Sequence, residues 1–492
     1  MKTSKRKTFD RWGGYFSGYL LPAVLVVGLI VGAVWMARTW FEGTPPEIQL
    51  RPEGSMVGAS QEFTLAVADA ESGLSRIKVQ FRQGSTEKEV VFQSFPGRRW
   101  GRGGDERKVE LPLILEPKAW GCQDGPAELI IQARDYSWRG WFKGNTASLT
   151  RKLTIDLTPL RLTFISINEF INQGGTGLVV YQINKPAAAS GVRVNGELFP
   201  GFPAPGGDAG RRLAFFAVPY LLPQPLTLEL IAADQGGAEV KNRVHYRLKS
   251  KRWRADRINL SDAFLNRKMP EFQEVDQELK NIQNPLEVFL RINRDEREKN
   301  NRLIQEICKQ SQPERLWQGA FVRLPNSKPM AAFADHRSYI YQGREIDRQV
   351  HLGQDLASLE KALIPAANHG LVIFTGPLGI YGQSVVLDHG WGLCSLYSHL
   401  SEIRVEKGQR VNKGEVLGRT GATGMAGGDH LHFSVMIQGK FVNPLEWWDL
   451  HWIKDQVERQ LAGIEPAVAA TAQTAPPKAA RTKPRTAKKR NR

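Results

Sequence analysis

The chain has 492 residues and a formal net charge of +17 at pH 7; it is too long for one ordinary domain and can bury several cores. The charge is concentrated at the two ends, because residues 1–11 carry five basic side chains against one acidic, and the tail after Glu465 carries eight basic and no acidic. The long middle is only mildly basic, so its charge gives no reason to expect nucleic-acid binding. Three cysteines, Cys122, Cys308 and Cys394, fit neither a metal-ligand spacing nor a disulfide framework, and we expect buried thiols.

The N-terminal segment predicts a membrane anchor. Residues 1–18 form a basic, cytoplasmic N-terminus, and residues 19–41 form one transmembrane helix, because no charge occurs from Trp12 to Ala37 and about 20 apolar residues span a bilayer. Large residues such as Trp35 stand where a cleaved signal peptide needs small ones, so we expect the anchor to be retained. The basic residues before it predict a single-pass protein of the inner (cytoplasmic) membrane with a periplasmic C-terminal body.

Two stretches after the anchor are predicted to be β-sandwiches. Residues 45–157 contain short runs that alternate apolar and polar side chains, such as Ala127–Asp135, separated by turns, and this spacing is typical of antiparallel sandwiches. The turn Asp69–Gly73 and the closing segment Asp156–Pro159 resemble those of bacterial immunoglobulin-like surface domains. Residues 158–250 repeat the pattern and predict a second sandwich.

The pattern changes to a helical one over residues 251–315. Apolar residues recur at helical spacing, as at Leu279, Ile282 and Leu286, and Asn284-Pro285 interrupts the run, so we expect two or three linking helices. Residues 463–492 consist mostly of Ala, Pro, Thr, Lys and Arg. Such a segment buries too little apolar surface to fold, and it is predicted to be a disordered basic tail.

Histidines and an aspartate in three short segments carry the chemistry. In the last segment, His430 and His432 alternate with apolar Leu431 and Phe433, so both histidines should leave the same face of a strand. In the second segment, the same alternation predicts that His399 points to the side of Tyr397.

The first segment supplies His351 and Asp355, four residues apart. Three nitrogen or oxygen ligands with one open position define a catalytic zinc site, and these two residues with one histidine of the later pair complete that set. Zinc lowers the pKa of a bound water toward about 7, and a remaining histidine can accept the proton.

The order of the motifs resembles that of the lysostaphin/LytM-type peptidoglycan endopeptidases, metallopeptidase family twenty-three. The shared features are His-x-x-x-Asp at residue 351, Tyr-x-His-Leu at residue 397, the glycine-spaced segment 405–418 and His-Leu-His-Phe at residue 430. The resemblance implies a small antiparallel β-sheet domain at 316–449 with its site in an open groove.

Site roles follow from the resemblance position by position. It implies that His351, Asp355 and His432 bind Zn²⁺, that His430 is the general base, and that His399 orients the water and stabilises the oxyanion. A supporting tyrosine is also implied, with Tyr339 and Tyr341 as the candidates.

The chain is therefore predicted to be multidomain and mainly β: a transmembrane helix, two immunoglobulin-like sandwiches, a helical linker and an antiparallel β-sheet metallopeptidase domain. Its implied function is hydrolysis of peptide cross-links in peptidoglycan during cell-wall remodelling. The sandwiches would act as spacers or contact cell-wall proteins, and no nucleic acid is expected. The alternative is a non-catalytic activator or scaffold of other wall hydrolases. Such relatives usually lack a site residue, whereas all five are present here.

Overall fold

A computed structural model of the chain describes residues 16–98, 103–206, 208–222, 225–235 and 238–462. The predicted basic tail and nearly all of the predicted basic N-terminus lie outside these residues. Close contacts divide the chain into two compact units. The first unit comprises the residues up to Arg161 together with 184–190 and 231–241, and the second comprises 162–183, 191–230 and the residues from Asn242 onward.

Helix α1, Phe16–Trp40, opens the first unit and contains the uncharged run of the sequence. Among the described residues, no helix has both the length and the apolar character that a membrane crossing requires. The transmembrane helix predicted for residues 19–41 is therefore not confirmed.

Two sheets form the body of the first unit. Its elements are β1 Glu47–Arg51, β2 Met56–Val57, β3 Gln61–Ala68, β4 Leu74–Gln83, β5 Thr86–Ser94, β6 Lys108–Leu115, β7 Gly125–Asp135, α2 Arg139–Phe142 and β8 Thr146–Ile155. One sheet has the strand order β1-β3-β6 and the other β2-β8-β7-β4-β5. Alternate side chains of both sheets, among them Phe63, Ile77 and Leu129, enter one hydrophobic core, as the period of two in the sequence predicts.

Short strands also fill the region predicted to be the second sandwich. They are β9 Leu162–Ile167, β10 Phe170–Asn172, β11 Thr176–Ile183, β12 Ala189–Val194, β13 Glu197–Pro200, β14 Phe202–Pro203, β15 Arg211–Ala217, β16 Leu228–Ala233, β17 Glu239–Arg243 and β18 Arg247–Lys249. They form sheets of order β14-β15-β11-β9 and β13-β12-β16-β17, and β10 pairs with β18. The mainly β character is confirmed, whereas the assignment of either region to an immunoglobulin-like sandwich stays a prediction.

Helices follow where the sequence changes its period. After strand β19, Ala255–Asn259, come α3 Asp262–Val275, α4 Pro285–Arg291, a π-helical turn Ile292–Glu296 and α5 Arg297–Cys308. Asn284 accepts a hydrogen bond from the Leu286 N–H and caps α4, and Pro285 takes the first helical position, where a missing N–H is harmless. The interruption read from the sequence is thus the start of a helix.

The last part of the chain contains the largest sheet, whose order is β20-β23-β31-β27-β26-β25-β29 with β32 beside β31. The elements are β20 Lys328–Ala331, β21 His336–Tyr341, β22 Arg344–Val350, β23 Gln354–Ala357, β24 Leu363–Pro365, β25 Gly370–Pro377, β26 Gln383–Asp388, β27 Leu393–Leu400, β28 Glu402–Ile403, β29 Arg410–Val411, β30 Val416–Arg419, β31 Leu431–Ile437, β32 Lys440–Val442, α6 Pro444–Trp448, α7 Leu450–Ile453 and α8 Arg459–Leu461. Smaller sheets have the orders β19-β21-β22 and β24-β30-β28. One core joins helices α3 to α5 to the large sheet, so these helices are packed against it.

A buried carboxyl group connects α6 with strands β10 and β11. Glu446 accepts hydrogen bonds from the Asn172 side chain at 2.7 Å and from the Thr176 backbone N–H at 2.8 Å, and it is 6 % exposed. Burial raises the pKa of Glu446 to about 7, although these hydrogen bonds and the nearby Lys251 oppose the shift.

Because the pKa of Glu446 is raised on folding, the folded state binds the extra proton between pH 4.5 and about 7. The contribution of the Glu446 carboxyl group to the free energy of unfolding is complete below pH 4.5. It is lost as the pH rises through 7, by at most about 3 kcal/mol. We expect the melting temperature of the wild type to fall relative to that of Glu446→Gln between pH 5 and pH 8. Glu360→Gln, at an exposed position, is the control. A difference between wild type and Glu446→Gln that does not vary with pH would contradict the assignment.

Candidate active site

Three side chains converge on one face of the large sheet. His351 directly follows β22, Asp355 lies in β23 and His432 lies in β31. Asp355 and His432 are direct partners across antiparallel strands and therefore project from the same face. Asp355 Oδ1 lies 2.9 Å from both His351 Nε2 and His432 Nδ1, and the two nitrogens are 3.0 Å apart. All three residues are buried.

Hydrogen bonds on the far sides of the two imidazoles fix which nitrogen faces the cluster. His351 Nδ1 lies 2.9 Å from the Ala332 carbonyl, which only accepts, so Nδ1 carries the proton and Nε2 presents a lone pair. His432 Nε2 lies 3.0 Å from Ser434 Oγ, which donates to the Leu352 carbonyl. His432 Nε2 therefore donates, and Nδ1 presents its lone pair. Such partners orient metal-binding histidines.

The three inward-facing atoms fit a zinc ion. They are two imidazole nitrogens and one carboxylate oxygen, the donor set of catalytic zinc sites, and their mutual spacing is near the roughly 3.3 Å separation of tetrahedral zinc ligands. Burial lowers the pKa of His432 to about 4, although Asp355 opposes the shift, so the imidazole is neutral at pH 7. Among the described residues, these three form a group that could hold a metal ion.

Two further histidines lie beside the cluster. His430 Nε2 is 3.7 Å from Asp355 Oδ1, and its Nδ1 donates to the Gly428 carbonyl at 2.8 Å. His399 Nδ1 donates to the Thr423 carbonyl at 2.8 Å, and its ring centroid is 4.8 Å from that of His430. In both residues Nε2 is left as an acceptor. Burial, together with the neighbouring histidines, holds the pKa of His399 well below its usual value.

The backbone at His399 corrects one prediction. His399 does not follow the side of Tyr397, because Tyr397 packs on Phe433, whereas the His399 ring lies 5.8 Å from that of His432 on the other face. The alternation breaks because a bulge shifts the pairing of β26 with β27 at Ser384 and because His399 has a φ of 65°. Such left-handed non-glycine residues concentrate at functional sites. The prediction that His430 and His432 share a face is confirmed by their common approach to Asp355.

The site opens into a cavity of about 330 Å³. The wall facing the histidines comes from β19 and the helices that follow it, and its residues are Ile258, Asn259, Leu260, Phe264, Phe289 and Arg297. The resemblance implies an open groove, and in this chain β19 and its helices form a second wall of the site. Of the two candidate tyrosines, Tyr339 lines the cavity, whereas the Tyr341 hydroxyl donates to Asp262 on the surface at 2.8 Å.

Three residues at the site were not predicted. Arg337 and Tyr381 line the cavity, the Tyr381 ring lies 5.5 Å from His432, and Ser434 holds the far side of His432. Ser434 could have been found, because it is two residues from His432 and so shares its face of the strand. Neither Arg337 nor Tyr381 lies in a motif, and their positions depend on how separate segments pack.

Two other polar residues near the motifs, His389 and Asp429, lie away from the chemistry. His389 is buried, with Nδ1 2.7 Å from the His369 carbonyl and Nε2 2.7 Å from Ser395 Oγ, and burial lowers its pKa to about 4. These contacts indicate a structural role for His389. Asp429 accepts a hydrogen bond from the Lys361 backbone N–H at 3.1 Å and so stabilises a loop. The three cysteines are buried and unpaired by disulfides, as predicted.

Comparison with known proteins agrees with this geometry. Residues 349–444 match the sequence profile of Peptidase family M23. The chain is 38% identical over 97 residues to the DD-carboxypeptidase/endopeptidase Mpg of Neisseria meningitidis serogroup B, and 35% identical over 96 residues to the peptidoglycan DD-endopeptidase ShyA of Vibrio cholerae. Each match covers 20% of this chain and 22% of the relative, so the chain spans about a fifth of the length of these curated relatives.

Among solved structures, the catalytic domain of lysostaphin from Staphylococcus simulans aligns at 23% identity with a TM-score of 0.23, covering 27% of this chain and 98% of that domain. The matched residues include all five of the histidine and aspartate positions described above. Residues 349–444 therefore form a domain of peptidase family M23, a family of zinc metallopeptidases.

Proposed function

We propose that this protein is a membrane-anchored zinc endopeptidase that hydrolyses peptide cross-links of peptidoglycan. The observation that carries the proposal is the convergence of His351 Nε2, Asp355 Oδ1 and His432 Nδ1 within 3.0 Å of one another, with two more histidines at the same cavity. In a purely structural cluster, three lone pairs directed at one point would be unfavourable, because buried acceptors without a donor between them repel each other.

The residues around the ligands suit peptide hydrolysis. Zinc held by the three ligands would supply a Lewis acid that polarises a carbonyl and lowers the pKa of water. His430 is the general base in this proposal, since its Nε2 is a free acceptor held near the ligands by the Gly428 carbonyl. His399, held through the Thr423 carbonyl, orients the attacking water and stabilises the oxyanion. Tyr339, on the cavity wall, is the better placed of the two predicted tyrosines.

The substrate class rests on the named relatives. Mpg is named a DD-carboxypeptidase/endopeptidase and ShyA a peptidoglycan DD-endopeptidase, and the direct D-amino-acid cross-link is therefore the proposed bond. A peptidoglycan substrate places the M23 domain outside the cytoplasm, with the β-rich regions at 45–157 and 158–250 as spacers or contacts for cell-wall proteins.

The anchor rests on the sequence and on the surface of α1. The uncharged run from Trp12 to Ala37 follows a basic cluster, which favours a cytoplasmic N-terminus. On α1, large apolar side chains such as Val24, Leu29 and Trp35 are exposed, and a lipid environment would cover them. The proposal is one pass through the inner membrane with residues 19–41.

The test is a muropeptide digest with the whole 492-residue chain, purified in detergent and incubated with isolated sacculi. We expect cross-linked dimers to decrease and monomers to increase, and we expect a chelator to stop the reaction and added zinc to restore it. Identical muropeptide profiles for the wild type and for His430→Ala would reject catalysis. A profile that changes only when a second wall hydrolase is present would instead assign the chain to activators.

A further inference from the structure

An arginine divides the two oxygens of the Asp355 carboxylate between separate partners. Arg337 lies in β21, which belongs to the sheet β19-β21-β22, whereas Asp355 and His432 belong to the large sheet. Arg337 Nη2 lies 3.0 Å from Asp355 Oδ2, while Asp355 Oδ1 faces both metal-binding histidines at 2.9 Å. The carboxylate is therefore held with one oxygen toward the metal position and the other toward the guanidinium.

The surroundings of Arg337 indicate that stability alone does not explain its position. Its side chain is 19% exposed, and that of Asp355 is 12% exposed, so the ion pair is largely shielded from solvent. Arg337 Nε is buried without a hydrogen-bond partner, which costs stability. Burying an ion pair also carries a desolvation penalty that its attraction often only balances. A residue kept under such costs beside a metal ligand is a candidate for a role in the site.

We propose that Arg337 is a positioning residue that restricts Asp355 to binding zinc through Oδ1 alone. With Oδ2 occupied by Arg337, Asp355 would offer a bound zinc ion a single oxygen and would leave room at the site for water and substrate. The inference deepens the proposed function and rests on it only in taking His351, Asp355 and His432 as the ligands.

Two effects of Arg337 on zinc oppose each other. Its positive charge repels the metal and reduces the attraction of Asp355, so removing the charge would strengthen zinc binding. Its hydrogen bond fixes the carboxylate, so removing the bond would weaken zinc binding, and the loss of such supporting partners typically costs about 10- to 100-fold in affinity or activity. The orienting effect of Arg337 outweighs its repulsion of zinc, because a freely rotating carboxylate in place of one fixed oxygen would disturb a site built on three ligands.

The experiment compares the whole chain in detergent with Arg337→Met, Arg337→Lys and Arg348→Gln. Methionine keeps the approximate length of the arginine side chain but has no hydrogen-bond donor. Lysine keeps the positive charge but lacks the forked guanidinium group. Arg348, which is exposed and pairs with Glu345, is the control position. The measurements are zinc affinity by chelator competition, the visible absorption spectrum of the Co²⁺-substituted protein, and kcat and KM on sacculus fragments. Melting temperatures with zinc bound report folding.

We expect Arg337→Met to lose about 10- to 100-fold in zinc affinity, to show weaker cobalt bands because a second carboxylate oxygen raises the coordination number, and to lose kcat with KM little changed. Arg337→Lys should recover part of each loss, and Arg348→Gln should match the wild type.

Zinc affinity in Arg337→Met equal to or tighter than wild type would overturn the proposal, and so would a raised KM with an unchanged cobalt spectrum. If Arg337→Met does not fold, the cobalt spectrum of Arg337→Lys decides. Zinc and cobalt binding are measured without substrate, so a failure of the proposed function would be seen separately.

Discussion

Replacing His432 with alanine is expected to abolish zinc binding and to lower peptidoglycan hydrolysis by at least about 10³-fold. The residue supplies one of three ligand atoms, and two ligands do not hold zinc in a catalytic site. Losing a Lewis acid that contributes several kcal/mol to transition-state stabilisation corresponds to a rate loss of about this size. The measurements are the zinc content of the purified protein and the rate of monomer release from sacculi.

Because His432 is buried, its replacement also leaves a cavity, and a second variant separates folding from metal binding. Asp355→Asn is nearly isosteric and keeps a polar group beside Arg337, yet it removes the charged ligand oxygen. It should therefore lose both zinc binding and peptidoglycan hydrolysis, as His432→Ala does. His451→Ala, at an exposed histidine, should keep full zinc content and activity. Ligand binding stabilises the folded state by about 2.7 kcal/mol at 100 times the dissociation constant, so zinc should raise the melting temperature of the wild type and not that of Asp355→Asn. A His432→Ala or Asp355→Asn protein with stoichiometric zinc would refute the ligand assignment.

Replacing His430 with alanine should separate catalysis from metal binding. We expect kcat to fall about 10²- to 10⁴-fold, the usual contribution of a general base, while zinc content and melting temperature stay close to those of the wild type. The physical reason is that His430 Nε2 lies 3.7 Å from the Asp355 oxygen, outside the cluster of three ligand atoms but at the same cavity. The measurement is steady-state hydrolysis with zinc-saturated protein.

His336→Ala is the matched control for this variant, since His336 is an exposed histidine of β21. Its rate should equal that of the wild type. Loss of zinc from His430→Ala would show that His430 is itself a ligand, and an unchanged kcat would transfer the role of base to another group. His399 is then the next candidate, because its Nε2 also faces the site.

Motif spacing was enough to predict which residues meet at the site. His351 and Asp355 are separated from His432 by more than 75 residues, yet all three converge. Alternation along one strand correctly placed His430 and His432 on a common face. Alternation failed at His399, because a β-bulge and a positive φ turn that side chain to the opposite face. A bulge adds one residue to one strand of a pair, and the alternation of apolar and polar residues in the partner strand does not reveal it.

The sequence motifs did not predict the second wall of the cavity. Helical spacing correctly predicted helices after Leu260, and Asn284-Pro285 correctly marked a boundary. Periodicity describes only one element at a time, so it predicts a buried face without naming what that face packs against. The packing of α3 to α5 on the large sheet and the position of Phe264 and Phe289 at the site are contacts between distant segments.

The sequence by itself determined the chemistry of the site: the residue types that can bind zinc, the strand that presents two histidines together, and the mainly β character of the chain. These properties are local, since they depend on side-chain type and on a period of two or 3.6 residues. Only the tertiary structure decided which nitrogen of each histidine faces the metal position, that Arg337 holds the second oxygen of Asp355, and that β19 and its helices enclose the site. Those features arise because backbone carbonyls, hydroxyls and charges from separate segments meet, and no spacing along the chain encodes such a meeting.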